Sequence, residues 1–300
     1  MQSANGEMEM SPHFKSTSSI GRFSAVLAIC FAFVSMVLIA YWANNTDTTN
    51  RFAGGLDWGV NTFNWHPVLM ISGMVFSFIT AMMMYRVLPL PKTIVKYVHA
   101  ILHTATIVCI CVGIAAVVVS NNFTDKNSSN SFEPNLWSLH SLLGIIAICL
   151  YMQNYFIAAL IFLPKVMEWT ASVALRKAYA SAHSANGIIT VIVVLAAVQT
   201  GLMEESSGCQ YTVTDVSSNP AALYQYLTPG CKMLNGIGIV VLIAALLAVL
   251  VITTDSGHST TNTYSNQDLQ ELRQEEKEKP LILKEEKVVE EEAKFESARV

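Results

Sequence analysis

The chain has 300 residues, of which 52% are hydrophobic and only 13% charged, with a formal net charge of −4. That balance is too apolar and too poor in charge for an ordinary soluble domain, and no basic stripe or zinc-finger spacing points to nucleic acid. The acidic excess is local: Asp255 onward carries 12 acidic and 7 basic residues, so this tail holds −5 and the remainder +1.

Six apolar runs are long enough to cross a hydrocarbon core, which takes roughly 20 residues. They are about Ile20–Trp42, His66–Leu88, Val95–Ser120, Leu136–Leu163, Ala178–Leu202 and Met233–Thr254. Only helices and closed barrels satisfy their backbone in lipid, and no barrel-like alternation is present. The expected fold is an all-α membrane protein of six helices with a four-helix core, spans two to five. A polar segment, 1–19, precedes one membrane domain, 20–254. A Glu/Lys-rich tail, 255–300, reads as a disordered appendage.

Both termini fall on one side, because the number of spans is even. Segments on that side, the tail excepted, carry eight basic residues against three acidic ones; those on the other side carry three basic against seven acidic. The positive-inside rule makes the terminal side cytoplasmic. The three sequons, at Asn44, Asn122 and Asn127, all lie on the opposite side. So do Cys209 and Cys231, which share one loop and suit a disulfide in an oxidising compartment. The other four cysteines (Cys30, Cys109, Cys111, Cys149) lie inside spans without a CxxC pattern and are expected to be buried, inert thiols.

Span one holds no His, Asp, Glu or Lys and is expected at the periphery. Span two opens with Asn64-Trp65-His66-Pro67, a proline well placed in a first turn, and closes at Tyr85-Arg86. Span three opens with Lys92, Lys96, His99 and His103, spaced four, three and four apart, so all share one helix face. Span four opens with Trp137-Ser-Leu-His140. Span five opens with Arg176, Tyr179 and His183, again on one face. Span six carries no titratable side chain in its core.

Ionisable side chains inside a bilayer are costly and raise a functional hypothesis by default. Consecutive spans run in opposite directions. His66 and His140 can therefore meet toward the non-cytoplasmic side, and His99 or His103 can meet His183 toward the cytoplasm. Paired imidazoles on facing helices are what a six-coordinate haem requires. A lone histidine in a membrane helix is more often a hydrogen-bonding residue than a ligand. Five in four consecutive spans, paired by side, are harder to explain by packing. HxxxH also suits zinc, and a histidine-lined divalent-metal transporter without haem is the competing reading. However, no Glu follows His99, and the cores of spans two to five hold no carboxylate.

The segments Asn64-Trp-His66-Pro, Tyr85-Arg86, Lys92-x3-Lys96-x2-His99-Ala-x2-His103, Ser138-Leu-His140-Ser and Leu175-Arg176-x6-His183 resemble the cytochrome b561 family of ascorbate-dependent transmembrane electron carriers. The resemblance covers roughly 20–254. It implies a homodimer with two non-covalent b haems, each held by two histidines: His66 and His140 on the non-cytoplasmic side, His99 and His183 on the cytoplasmic side. His103 becomes a neighbour of His99 that tunes its haem. Arg86, Lys92, Lys96 and Arg176 resemble a basic pocket for cytoplasmic ascorbate, a monoanion that cationic groups attract. Taken without the resemblance, these charges are ordinary inside-positive flanking residues.

The implied acceptor is monodehydroascorbate or a ferric chelate. Family members that act as ferric reductases tend to carry a histidine just after span three on the acceptor side. Asn121 stands there instead. Glu204 matches an acidic position after span five, and Trp137 replaces a tyrosine common before the span-four histidine. The topology suits the plasma membrane or a secretory or endo-lysosomal vesicle membrane.

Overall fold

A computed structural model describes residues 19–123, 135–162, 173–209 and 227–256. Residues 1–18 of the N-terminal segment, 257–300 of the acidic tail and the sequon at Asn127 lie outside these residues. All regular structure in the described residues is helical. The helices are α1 (Ser19–Asn44), α2 (Trp65–Met70), α3 (Phe78–Val87), α4 (Lys92–Phe123), α5 (Leu139–Phe162), α6 (Val173–Ser206) and α7 (Pro229–Ser256). A π-helical stretch, Ile71–Ser77, joins α2 to α3, so the second span is one continuous helical element. Six elements are long and apolar enough to cross a membrane, as expected.

The helices outrun the apolar runs. α4 starts three residues before Val95, and α6 starts five before Ala178. Helical hydrogen bonding continues past the hydrocarbon edge, where long basic side chains keep their heads in water. Lys92 and Arg176 consequently stand on rigid helical turns, not on loops.

Two units are distinguishable. One comprises the described residues of Met1–Gln153 and Gly187–Asp255; the other comprises those of Asn154–Asn186 and Ser256–Val300. In the first, the second span packs on both α1 and α4. α1 offers Ala25, Ala28, Ala32 and Ser35, all fully buried and three or four apart. Small residues at helical spacing let two helices approach closely where lipid supplies no hydrophobic drive. Ser35 satisfies its hydroxyl on the Ala32 carbonyl at 2.7 Å.

The second span and α4 are antiparallel, and four bonds fix their register. His66 pairs with the Gly113 carbonyl, Thr106 with Gly73, Ser77 with Leu102, and His99 with Ala81. Gly73 makes the approach possible, since a Cβ there would lie 2.6 Å from Cys109 Cβ.

The α1–α2 connection is ordered by side chains. Trp42 donates its indole N–H to the Arg51 carbonyl at 3.1 Å. Asn64 donates to the carbonyls of Ala53 and Gly55 at 2.9 and 2.8 Å. Gly54 and Gly55 adopt φ of 100° and 121°, which disfavour any side chain. Asp47 and Asp57 lie in this exposed connection. Hydrogen bonds from Asn50 and Thr49 hold the Asp47 carboxyl below its ordinary range; backbone bonds from Gly59 and Asn61 do the same for Asp57.

A disulfide joins Cys209, beyond the end of α6, to Cys231 on α7. The expectation for the remaining cysteines needs correction: Cys30, Cys111 and Cys149 are exposed and Cys109 is half-buried. On a lipid-facing helix surface an apolar thiol needs no protein neighbour, because lipid tails are as apolar as a core.

Candidate functional site

Each expected histidine sits within about three turns of the start of its helix, and each ring is oriented by a hydrogen bond through Nδ1. His66 reaches the Gly113 carbonyl at 3.0 Å, His140 the Ala197 carbonyl at 2.7 Å, and His99 the Ala81 carbonyl at 2.8 Å. A carbonyl only accepts, so in all three rings Nδ1 carries the proton and Nε2 the lone pair. That is the tautomer of a metal-ligating histidine whose other nitrogen is tied to a carbonyl.

His66 and His140 face each other with ring centroids 6.1 Å apart and planes at 83°. With Nδ1 committed in both rings, the two Nε2 atoms are the nitrogens that would hold a haem iron. Glycine makes room for this arrangement. A Cβ at Gly201 would lie 2.7 Å from His140 Cε1, so only glycine lets this ring lie across α6. Gly144 stands one turn inward from His140, and a Cβ there would meet nothing within 4 Å. Trp65, next to His66, has a buried indole N–H without an acceptor among the described residues. A haem's carboxylates are acceptors of the kind this donor lacks. The residues present therefore fit a haem between His66 and His140.

The second histidine group of the larger unit contains His99 and His103, with centroids 4.3 Å apart. His103 differs from the three rings above. Its Nδ1 lies 2.7 Å from a side-chain partner, the Tyr151 hydroxyl, whose one proton goes elsewhere, so Nδ1 donates to it. The same hydroxyl donates to the His103 carbonyl at 3.2 Å. Phe78 packs against both rings, at 5.7 Å from His103 and 5.0 Å from Tyr151. Tyr85 lies edge-on to His99 at 5.3 Å.

In the smaller unit, His183 is oriented by Asn154. Its Nδ1 lies 2.9 Å from Asn154 Oδ1, and Asn154 Nδ2 donates to the His183 carbonyl at 3.3 Å. Tyr179 donates its hydroxyl to the same Oδ1 at 3.2 Å, and Phe162 lies 5.8 Å from the imidazole.

The basic residues keep the ends expected of them. Arg86 is in the last turn of α3, and Lys92 opens α4 after a connection of only four residues. Arg86 and Lys96 are half-buried and Lys92 exposed; Arg176, in the smaller unit, is half-buried. On the opposite side, Asn121 donates to Asn135 Oδ1 at 3.0 Å, and Asn135 donates to Asn122 Oδ1 at 3.3 Å. Trp137 and Glu204 are exposed, as are Asn44 and Asn122. Among the described residues, no three His, Cys, Asp or Glu side chains converge as a metal cage requires.

Sequence reasoning missed Asn154, Tyr151 and Gly201. Asn154 had a signal: Gln153-Asn154 interrupts an otherwise apolar run, and amides inside membrane helices normally bond across to another helix. Gly201 had none, since only the distance to His140 gives it a role.

Residues 65–207 match the family model described as eukaryotic cytochrome b561. The chain is 30% identical over 244 residues to the human lysosomal membrane ascorbate-dependent ferrireductase CYB561A3, an overlap of 79% of this chain and 90% of that protein. It is 32% identical over 210 residues to the Rattus norvegicus protein of the same name, covering 68% and 74%. The plasma membrane ascorbate-dependent reductase CYBRD1 of Xenopus laevis is 29% identical over 233 residues, covering 76% and 74%.

Proposed function

Since the chain belongs to the eukaryotic cytochrome b561 family, we propose that it is an ascorbate-dependent transmembrane oxidoreductase moving single electrons from the cytoplasm to an acceptor across the membrane. Relatives named as ascorbate-dependent reductases of plasma and lysosomal membranes support the donor and suggest either membrane. The observation that carries the reading is the His66–His140 pair, 6.1 Å apart with both Nδ1 atoms committed to carbonyls. Two non-covalent b haems, when bound, supply reversible one-electron storage at two depths of the bilayer.

The protein's own residues hold and orient those groups. His66 and His140 are the ligands on the non-cytoplasmic side. His99 and His183 are those on the cytoplasmic side, a pairing that rests on sequence register and family. His103 abuts His99 as a tuning neighbour. The Gly113 and Ala81 carbonyls that orient His66 and His99 lie on antiparallel helices. His66 and Ala81 are 15 positions apart, roughly 20 Å at 1.5 Å per residue. Ligand sets near both ends of the span divide the crossing into short steps.

Arg86, Lys92, Lys96 and Arg176 attract ascorbate, and their charge favours release of its second proton as an electron leaves. On the far side, Asn121 and Asn135 offer amides where a metal-binding imidazole would stand. That supports monodehydroascorbate over a directly coordinated ferric ion, with Trp137 and Glu204 flanking the acceptor. The active unit is a homodimer of the 20–254 domain, with 1–19 and 255–300 on the cytoplasmic side.

Purified protein is expected to show b-type absorption that ascorbate reduces, and His66→Ala and His99→Ala are each expected to remove one of two haems. A colourless preparation, or full haem content in both variants, overturns the reading. Electron delivery to monodehydroascorbate and to ferric chelate, compared from the non-cytoplasmic side, identifies the acceptor.

A further inference from the structure

His66, His99 and His140 are oriented by backbone carbonyls, which no substitution can remove. His183 alone among the four proposed ligands is oriented by a side chain. The direction of that bond is fixed by its neighbours. The His183 carbonyl accepts only, so the amide group facing it is Nδ2. Oδ1 must then face the ring, and the ring must present a protonated Nδ1. Asn154 thereby leaves the lone pair on Nε2. It also ties the ring to the turn that carries it, because one amide grips both the imidazole and the carbonyl of the same residue.

Oδ1 accepts a second hydrogen bond, from Tyr179. Tyr179 lies four residues before His183 on α6, so both approach Asn154 from one helix face. Two donors draw on the same oxygen, and the Tyr179 hydroxyl moderates how strongly Oδ1 pulls on the Nδ1 proton. The strength of that pull matters. A stronger acceptor at Nδ1 makes the imidazole a more basic ligand and stabilises the oxidised metal, and hydrogen bonding around a ligand is one of the levers that sets a haem potential.

We infer that Asn154 is the positioning residue for His183, fixing its tautomer, and that the Asn154–Tyr179 pair sets the redox potential of the group His183 holds, independently of the group at His66 and His140. This rests on the haem assignment proposed above.

The test is a spectroscopic redox titration of the b-type absorption of full-length protein, as wild type and as Asn154→Asp, Tyr179→Phe and His183→Ala. Wild type is expected to resolve two components. Asn154→Asp, which replaces the amide oxygen by a carboxylate, lowers the potential of one component and leaves the other in place. Tyr179→Phe, which frees Oδ1 for the ring, shifts the same component in the same direction by less. His183→Ala removes that component. If His183→Ala removes one component while the other two variants leave both potentials unchanged, or move both equally, the inference is overturned and the haem assignment stands. If His183→Ala retains both components, the assignment fails and the inference with it. Should Asn154→Asp not accumulate, Tyr179→Phe decides alone: a shift confined to one component sustains the inference, and no shift overturns it.

Discussion

A histidine that binds a metal in a membrane needs two things at once, a fixed ring and a fixed proton. In His66, His99 and His140 both come from a single bond to a carbonyl of another helix. The Ala197 carbonyl that serves His140 also accepts from the Thr200 hydroxyl at 2.9 Å, one turn before Gly201. Gly201→Ala therefore acts at a crowded point. Its Cβ would lie 2.7 Å from His140 Cε1 and 2.8 Å from Nδ1, so the ring must turn and its bond to Ala197 must break. Losses of this kind typically weaken metal binding about 10- to 100-fold. The expected result is selective loss of the haem proposed for His66 and His140, read as haem per protein. Gly236→Ala on α7 is the control, because a Cβ there meets nothing within 4 Å. Equal haem content in both variants contradicts the role given to Gly201.

At the level of the element, the second span is the informative one. Its apolar run gives no hint that the helix widens into a π turn over Ile71–Ser77. π turns occur often at functional sites, and this one lies between the two turns that present His66 and the Ala81 carbonyl. It also contains Gly73 and Ser77, the two residues that meet α4 at Thr106 and Leu102. Because a Cβ at Gly73 would lie 2.6 Å from Cys109 Cβ, Gly73→Ala forces the helices apart. Overpacking of this sort costs about 1–3 kcal/mol. Thermal retention of the native absorption in detergent is expected to fall in Gly73→Ala. Cys109→Gly placed in that background is expected to recover part of the loss, so the double variant is less destabilised than the two single effects added. Strict additivity would mean that the two positions do not touch.

At the scale of the molecule, the proposed orientation, with both termini cytoplasmic, is open to a direct test. Cys209 and Cys231 are joined, as an oxidising compartment permits, and Asn44 is exposed at the end of α1. After mild reduction of sealed right-side-out vesicles, a membrane-impermeant maleimide is expected to label Cys209, which is half-buried, while Cys231 is buried. Removal of N-glycans from the same vesicles is expected to shift the mobility of wild type more than that of Asn44→Gln. Labelling only after the vesicles are opened would reverse the topology and with it the assignment of donor and acceptor sides.

The sequence by itself determined the six spans, their order, and the positions of the five membrane histidines. Each of these depends on local quantities: run length, apolar content and helical spacing. The helix ends were less legible, because hydrogen bonding runs past the apolar segment and Lys92 and Arg176 are helical. The four internal cysteines were misread for a related reason. Apolarity marks a residue as compatible with the membrane, but does not say whether protein or lipid surrounds it. Only the tertiary structure decided which carbonyl fixes each ring, that Gly201 and Gly73 are spaces kept open for other side chains, and that His183 depends on an amide from α5. These are relations between residues 18 to 61 positions apart. No spacing rule along one helix reaches them, since the register between two helices is set by packing and not by either sequence alone.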